Sequence, residues 1–320
     1  MYNQTEAILS QYEIEIHEVT KGRGAFICDT NKGRKLLLPF RGSKEKGKQL
    51  RQFLLSLEEN AFSVEQIELT GKEEAVAEDE YTGERFILKS YMAGEEISTG
   101  KLEEMKEAVR MLAIYHNTTD RITPWATEGD AAELWHRHYR ELIKVRNYIR
   151  GRKKKGEFEQ IYMTNFERNR ESAEKSLGIL DNQSKVDIRC VFCHGDFNQH
   201  NVLRCNGKYQ IVHFENVSYN WGMMDLANFV RKMLEKNEWS KEIGTQLIAE
   251  YDRYRPIQKE EYQQLYALLL FPEKFWKVSN HYMNSRKTWI SGRDIDKLKK
   301  VIEQEEKRLN FLENLFAFLG

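Results

Sequence analysis

The sequence predicts an α+β chain of two lobes, a small β-rich lobe over residues 1–93 and a larger, mainly helical lobe over 94–320. Three observations predict it. Period-two alternation is concentrated before Met92. Helical spacing dominates after Lys101. Between Val191 and Ala227 short apolar strands frame a polar loop rich in acids, amides and histidines. A chain of 320 residues is long enough for two cores.

The small lobe begins with Glu13 to Val19, which alternates as a half-buried strand does. Lys21-Gly22-Arg23-Gly24 reads as a turn, and Ala25 to Thr30 as the returning strand. Asn31 to Gly33 turns again before a third strand, Arg34 to Phe40. Glu45 to Leu57 places Leu50, Phe53, Leu54 and Leu57 on one helical face. Glu74 to Glu78 and Arg85 to Met92, joined by the Tyr81–Glu84 turn, form a last hairpin.

In the large lobe Leu102, Met105, Val109, Leu112, Ala113 and His116 recur at helical spacing. His116 reads as a packed, hydrogen-bonded histidine. Helices follow at Ala131 to Arg150 and Glu157 to Ile179, with Lys153 to Lys155 a solvated turn between them. After the central loop come Leu226 to Glu235, Lys241 to Tyr254, Glu260 to Phe271, Phe275 to Arg286 and a single terminal helix, Ile295 to Phe318.

The central loop carries the chemistry. Val191-Phe192 delivers His194-Gly195-Asp196 into a loop that Asn201 closes, and Val202-Leu203 re-enters a strand. Asn206-Gly207 is a hairpin signal. The return strand, Tyr209 to Val212, ends at His213, and Glu215 follows on the same side if the strand continues. An acid that takes the acceptor's proton, an amide five residues on and an acid after the next strand form the pattern of a phosphoryl-transfer loop. Asp196 is the candidate base, with His194 as loop anchor or second base. Asn201, His213 and Glu215 are the candidate metal ligands. Each has a structural alternative, as a brace of the loop.

The spacing of His194, Gly195, Asp196, Asn201, Glu215, Asp225, Leu226 and Ala227 resembles the aminoglycoside phosphotransferase and choline kinase superfamily, and within it the CotS-type spore-coat kinase-like family. Leu112-Ala-Ile-Tyr-His116 resembles a motif of the same superfamily. The resemblance implies a bilobal protein-kinase-like fold, ATP and magnesium as cofactors, and an acceptor bearing a hydroxyl or amino group. It places Lys21 and Arg23 of the first turn, and Tyr91 and Ala93 of the interlobe hinge, against nucleotide; a plain hairpin turn and a plain strand exit explain the same residues. It makes Asp225 the buried acid that holds the loop backbone; that residue also suits the N-cap of the helix from Leu226.

Two positions depart from the family pattern. His213 stands where a metal-binding Asp is expected, and magnesium wants oxygen ligands where imidazole suits softer metals. Leu38 stands where a strand lysine is expected. Lys35 has the wrong parity, and Arg34 lies about 13 Å further along the strand. Both losses fall on charge handling, on which phosphoryl transfer depends. The resemblance therefore implies a spore-coat-associated pseudokinase with a structural or scaffolding role, and alternatively an active ATP-dependent small-molecule kinase or an atypical nucleotide binder.

Composition bounds the partners. Fifty basic and fifty acidic residues balance, so neither nucleic acid nor an anionic membrane is the expected partner. Four cysteines in this length are no disulfide framework. Cys190 and Cys193, beside His194, His200, Cys205 and His213, suggest zinc by proximity; strand parity points the two cysteines to opposite faces. Tyr266 to Phe271 is the longest apolar run, too short to span a bilayer. The first residues carry no apolar signal region, so a cytoplasmic protein is expected. The coat resemblance implies the mother cell, deposition in the spore coat and coat proteins as partners. Trp276, Tyr282 and Trp289 read first as core and second as an aromatic acceptor wall for a cationic or sugar-like molecule.

Overall fold

A computed structural model describes residues 2–22, 24–125, 131–183, 189–285 and 292–317. Its small sheet region runs in the order β1 (Ile16–Lys21), β2 (Phe26–Thr30), β3 (Gly33–Pro39), β5 (Arg85–Ser90) and β4 (Ala77–Glu78), all antiparallel. Helix α2 (Lys44–Glu59) follows β3. Ser43 caps it by accepting from the Lys46 N–H at 3.1 Å, and Leu50, Phe53, Leu54 and Leu57 form its buried face.

β5 and the second half of β3 are buried on both faces, while β1 at the sheet edge stays largely exposed. On β3, Leu38 joins the core shared with α2, while Leu37 faces the other way into a second core with Leu88 and Phe86. That second core is closed by α1 (Tyr2–Leu9), which supplies Ile8 and Leu9, and by Tyr12. Sequence reading did not anticipate α1, although Ile8 and Tyr12 lie one helical turn apart.

The hinge from Tyr91 to Gly94 leads to β6 (Glu95–Glu96), which pairs not with the small sheet but with β8 (Val202–Cys205) of the loop hairpin. Gly94 makes this approach feasible: a Cβ there would lie 2.9 Å from the Leu203 Cβ. β8 in turn pairs with β9 (Lys208–Ile211), and β7 (Cys190–Cys193) with β10 (Ser218–Trp221).

Nine helices complete the described residues of the large region: α3 (Leu102–Thr119), α4 (Ala131–Gly151), α5 (Glu157–Gln183), α6 (Met223–Lys236), α7 (Lys241–Tyr254), α8 (Lys259–Leu270), α9 (Glu273–Asn284), α10 (Gly292–Glu303) and α11 (Glu305–Ala317). Two expectations change. The terminal helix is two helices, broken at Gln304, whose amide donates to the Glu235 carbonyl at 3.1 Å and to Glu238 at 3.0 Å. α6 starts three residues before Leu226, so its N-cap is Gly222 and not Asp225. No helix among the described residues is long and apolar enough to cross a membrane.

Candidate functional site

The loop between β7 and β8 is held from beneath by side chains that bind its backbone. Asp225, in the first turn of α6, accepts from the N–H groups of His194 (2.6 Å) and Gly195 (3.0 Å). It has this second job in place of capping the helix. Its Oδ2 also lies 3.3 Å from His116 Nε2, whose Nδ1 is 2.6 Å from the Tyr251 hydroxyl. His116 is fully buried, and burial lowers its pKa despite Asp225.

His194 is spent on the same frame. Its Nε2–H donates to the Val212 carbonyl at 2.9 Å, so Nδ1 is free to accept from the Asp196 N–H at 3.2 Å. Gly195 has φ +80, and a Cβ there would sit 2.2 Å from the Asn216 carbonyl oxygen, so only glycine fits this turn.

The frame leaves Asp196 outward, with about half of its side chain exposed, 47%. Asn201 Nδ2 donates to the Asp196 carbonyl at 2.8 Å and lies 3.5 Å from its Oδ2. Lys232 of α6 reaches Asp196 Oδ1 at 3.4 Å. Burial lowers the Lys232 pKa, with Asp196 working against that shift. The Val212 N–H donates to the Asn201 carbonyl at 3.0 Å, which brings His213 alongside Asn201. Sequence reasoning singled out Asp196, His194, Asn201, His213 and Glu215, and these residues occupy one neighbourhood.

The surroundings of His213 and Glu215 differ from the expectation. The strand ends at Ile211; His213 adopts a left-handed conformation (φ 70, ψ 58) and Glu215 lies in a 3-10 turn, Phe214–Asn216. The two side chains approach each other through that turn, His213 Nδ1 to Glu215 Oε2 at 3.6 Å, and not through strand parity.

Between them sits an ammonium that sequence reading passed over. Lys89 of β5 donates to Glu215 Oε1 and to Glu65 Oε1 (2.6 Å) and lies 3.3 Å from His213 Nδ1. Lys89 is 1% exposed and Glu65 3%. Glu65 Oε1 also accepts from the N–H groups of His213 (2.9 Å) and Phe214 (3.3 Å). The carboxylate thus ties the small sheet region to the backbone of the turn that follows β9. Burial lowers the Lys89 pKa, but the two glutamates outweigh it and hold the group protonated above its ordinary value. Burial raises the Glu215 pKa, but Lys89 and His213 bring it down to about 2.

The loop pattern implies magnesium at this place. Magnesium wants near-octahedral oxygen ligands. Here one Glu215 oxygen is taken by an ammonium, and His213 offers a nitrogen beside that same ammonium. The pair does not fit magnesium as it stands. Among the described residues no group of three or more His, Cys, Asp or Glu side chains is arranged to hold a metal ion. The thiol of Cys193 is buried and turned to the carbonyls of Asn220 (3.5 Å) and Trp221 (3.2 Å), and burial pushes its pKa up.

The expected strand-lysine position is filled by Leu38, as core. On the next strand Lys89 stands opposite Leu36, on the same face as Leu38. The missed signal was a lone lysine in Phe86-Ile-Leu-Lys89-Ser, two residues before the hinge. Lys35 faces away, as its parity requires, and pairs with Glu68. Lys21 is exposed at the end of β1. Arg23 and Trp289 lie outside the described residues. Tyr91 carries the Arg34 guanidinium over its ring at 5.6 Å, and Ala93 is exposed. Trp276 stacks on His138 with ring centroids 3.5 Å apart and donates to Glu141 at 2.7 Å; Tyr282 stacks on Phe158 and donates to Glu159.

Comparisons with known proteins agree with this architecture. Spore coat protein S of Bacillus subtilis (strain 168) is 22% identical over 326 residues, covering 96% of this chain and 92% of its own. An aminoglycoside phosphotransferase from Alicyclobacillus acidocaldarius superposes with a TM-score of 0.84 at 20% identity, covering 98% of this chain and 96% of that one. Spectinomycin phosphotransferase APH(9)-Ia, solved with ADP and spectinomycin, gives 0.68 at 15% identity over 99% and 97%. These structures share the fold: a small sheet region and a larger helical part. The family model described as Spore coat putative kinase YutH matches residues 5–315, and the chain belongs to that family of spore-coat, kinase-like proteins.

Proposed function

We propose that this chain is a spore-coat protein on an aminoglycoside-phosphotransferase frame whose metal-dependent catalysis is lost, serving the coat as a folded scaffold. One observation carries the reading: the ammonium of Lys89 lies among Glu65, His213 and Glu215, where the loop pattern asks for a metal ion and a free carboxylate. Phosphoryl transfer is almost wholly positioning and charge stabilisation, so a carboxylate neutralised from within forfeits its main contribution. In this reading other coat proteins are its partners, the mother-cell cytoplasm is where it is made, and the lobes divide at residues 93 and 94.

A second reading, an active small-molecule kinase, is favoured by the Asp196 side of the loop. That carboxylate is exposed, with Asn201 and Lys232 beside it. Nucleotide binding is supported only by likeness to neighbours solved with ADP or, for the amicoumacin kinase hAmiN, with AMP-PNP and calcium.

Thermal-shift titration with ATP, with and without magnesium or manganese, separates the two. The scaffold reading expects no metal-dependent shift and no ATP turnover. A metal-dependent shift that vanishes in Asn201→Ala and Glu215→Ala, with turnover abolished by Asp196→Ala, would overturn it.

A further inference from the structure

We propose that the apolar groove between α1 and the edge strand β1 docks an extended segment of another protein in which apolar and cationic side chains alternate. The groove, about 600 Å³, runs along α1 and β1 and reaches Phe26 of β2. The proposal gives the scaffold reading a surface and a partner chemistry. It rests on that reading only in taking the partner to be a protein.

The floor of the groove calls for apolar side chains. Leu9 belongs to the second core, and Ile14, Ile16, Val19 and Phe26 pack against that core while staying half-buried. Four apolar side chains left reachable in one groove mark a contact surface.

The edge calls for an extended backbone. β1 is the terminal strand of its sheet. The Gly22 N–H donates to the Ala25 carbonyl at 2.9 Å, which sets the alternation of the β1–β2 hairpin. Thr20 therefore exchanges bonds with Ile27, and the N–H and C=O groups of Val19 and Lys21 point outward from the sheet edge. A segment laid there gains main-chain bonds, and every second side chain falls on the groove side.

The rim calls for cations. Residues 1–20 carry four glutamates and no Lys or Arg. All four are exposed, and Glu6 and Glu18 line the groove with no ion-pair partner among the described residues. Against them the described lining holds one fixed cation, Lys21. Nucleic acid and anionic membranes meet the wrong sign here. Two copies joined edge to edge through β1 would crowd the same glutamates of both chains.

The test is anisotropy titration of the full chain at low ionic strength with three labelled octapeptides: alternating Lys-Val, alternating Glu-Val and alternating Lys-Ser. The Lys-Val peptide should bind, about tenfold or more tighter than either of the others. Glu6→Gln with Glu18→Gln should weaken it about tenfold, the combined worth of two exposed charge contacts. Lys21→Pro removes an outward N–H and no β1–β2 bond, so the sheet keeps its pairing while the peptide loses an anchor. Lys21→Gln removes the same charge, keeps the N–H and should bind no worse than the native chain. The proposal is overturned if the Lys-Val peptide does not bind, if the Glu-Val peptide binds equally well, or if Lys21→Pro binds as tightly as Lys21→Gln. It is also overturned if sedimentation shows the native chain forming a dimer that Lys21→Pro dissolves, which would make a second copy the occupant. ATP turnover bears on the scaffold reading alone and alters none of these outcomes.

Discussion

The two sides of the loop use similar residues to opposite ends. On one side Asp196 is half exposed and its ion-pair partner, Lys232, stands 3.4 Å off. On the other side Lys89 and Glu65 are nearly solvent-free and satisfy each other and Glu215. A charge does chemistry on a ligand only if the ligand can reach it. Asp196, half exposed, can be reached although Lys232 stands beside it; the Lys89 side has turned its charges inward, into a pin between the small sheet region and the turn that follows β9. The kinase-like fold thus carries an exposed acid on one side of the loop and a buried charge cluster that serves cohesion on the other.

The sharpest way to break this comparison is Lys89→Met. Removing one partner of a buried ion pair leaves the others uncompensated, here Glu65 and Glu215, at a cost of about 3–5 kcal/mol. Urea denaturation measures it. A loss under about 1 kcal/mol, accompanied by a new magnesium-dependent thermal shift, would mean that the lysine only occupies a metal's place. A smaller effect follows from pH. The Glu215 carboxyl is depressed from 4.5 to about 2. Between those values the unfolded chain binds the extra proton, so stability rises with pH there. The contribution is full above about pH 5 and is lost as pH falls toward 2, on the order of 3 kcal/mol. Acid titration of the unfolding free energy should show a shallower slope in Glu215→Gln than in the native chain, with Glu273, likewise held down to about 2, contributing to both.

What the sequence made legible was whatever rests on local spacing. His194, Gly195, Asp196 and Asn201 are close in the chain, so their loop was readable from one line of text. Asp225 was readable as the loop's buried brace but not as a first-turn residue, because α6 starts without a polar cap and gives no start signal. The His213–Glu215 approach was anticipated for a strand and arises from a turn. Lys89 and Glu65 were not legible, because their partnership joins positions 24 residues apart to a third 126 residues from Lys89. No periodicity connects these sites. The pairing of Lys89 with Leu36 in the sheet is what turns the ammonium toward Glu65 and Glu215.

The smallest expected effect is the most discriminating for Asp196 itself. Asn201 Nδ2 makes its 2.8 Å bond to the Asp196 backbone carbonyl, which survives truncation of the side chain. The carboxylate adds the 3.4 Å Lys232 contact, an exposed pair worth about 0–1 kcal/mol. Asp196→Ala should therefore shift the unfolding free energy by less than about 1 kcal/mol in urea. A loss above about 2 kcal/mol would make the acid a brace of the loop, and the exposed side of the comparison would collapse into the buried one. If instead the variant stays as stable as the native chain, the fold has no need of this carboxylate, and whatever retains it there must act on a ligand.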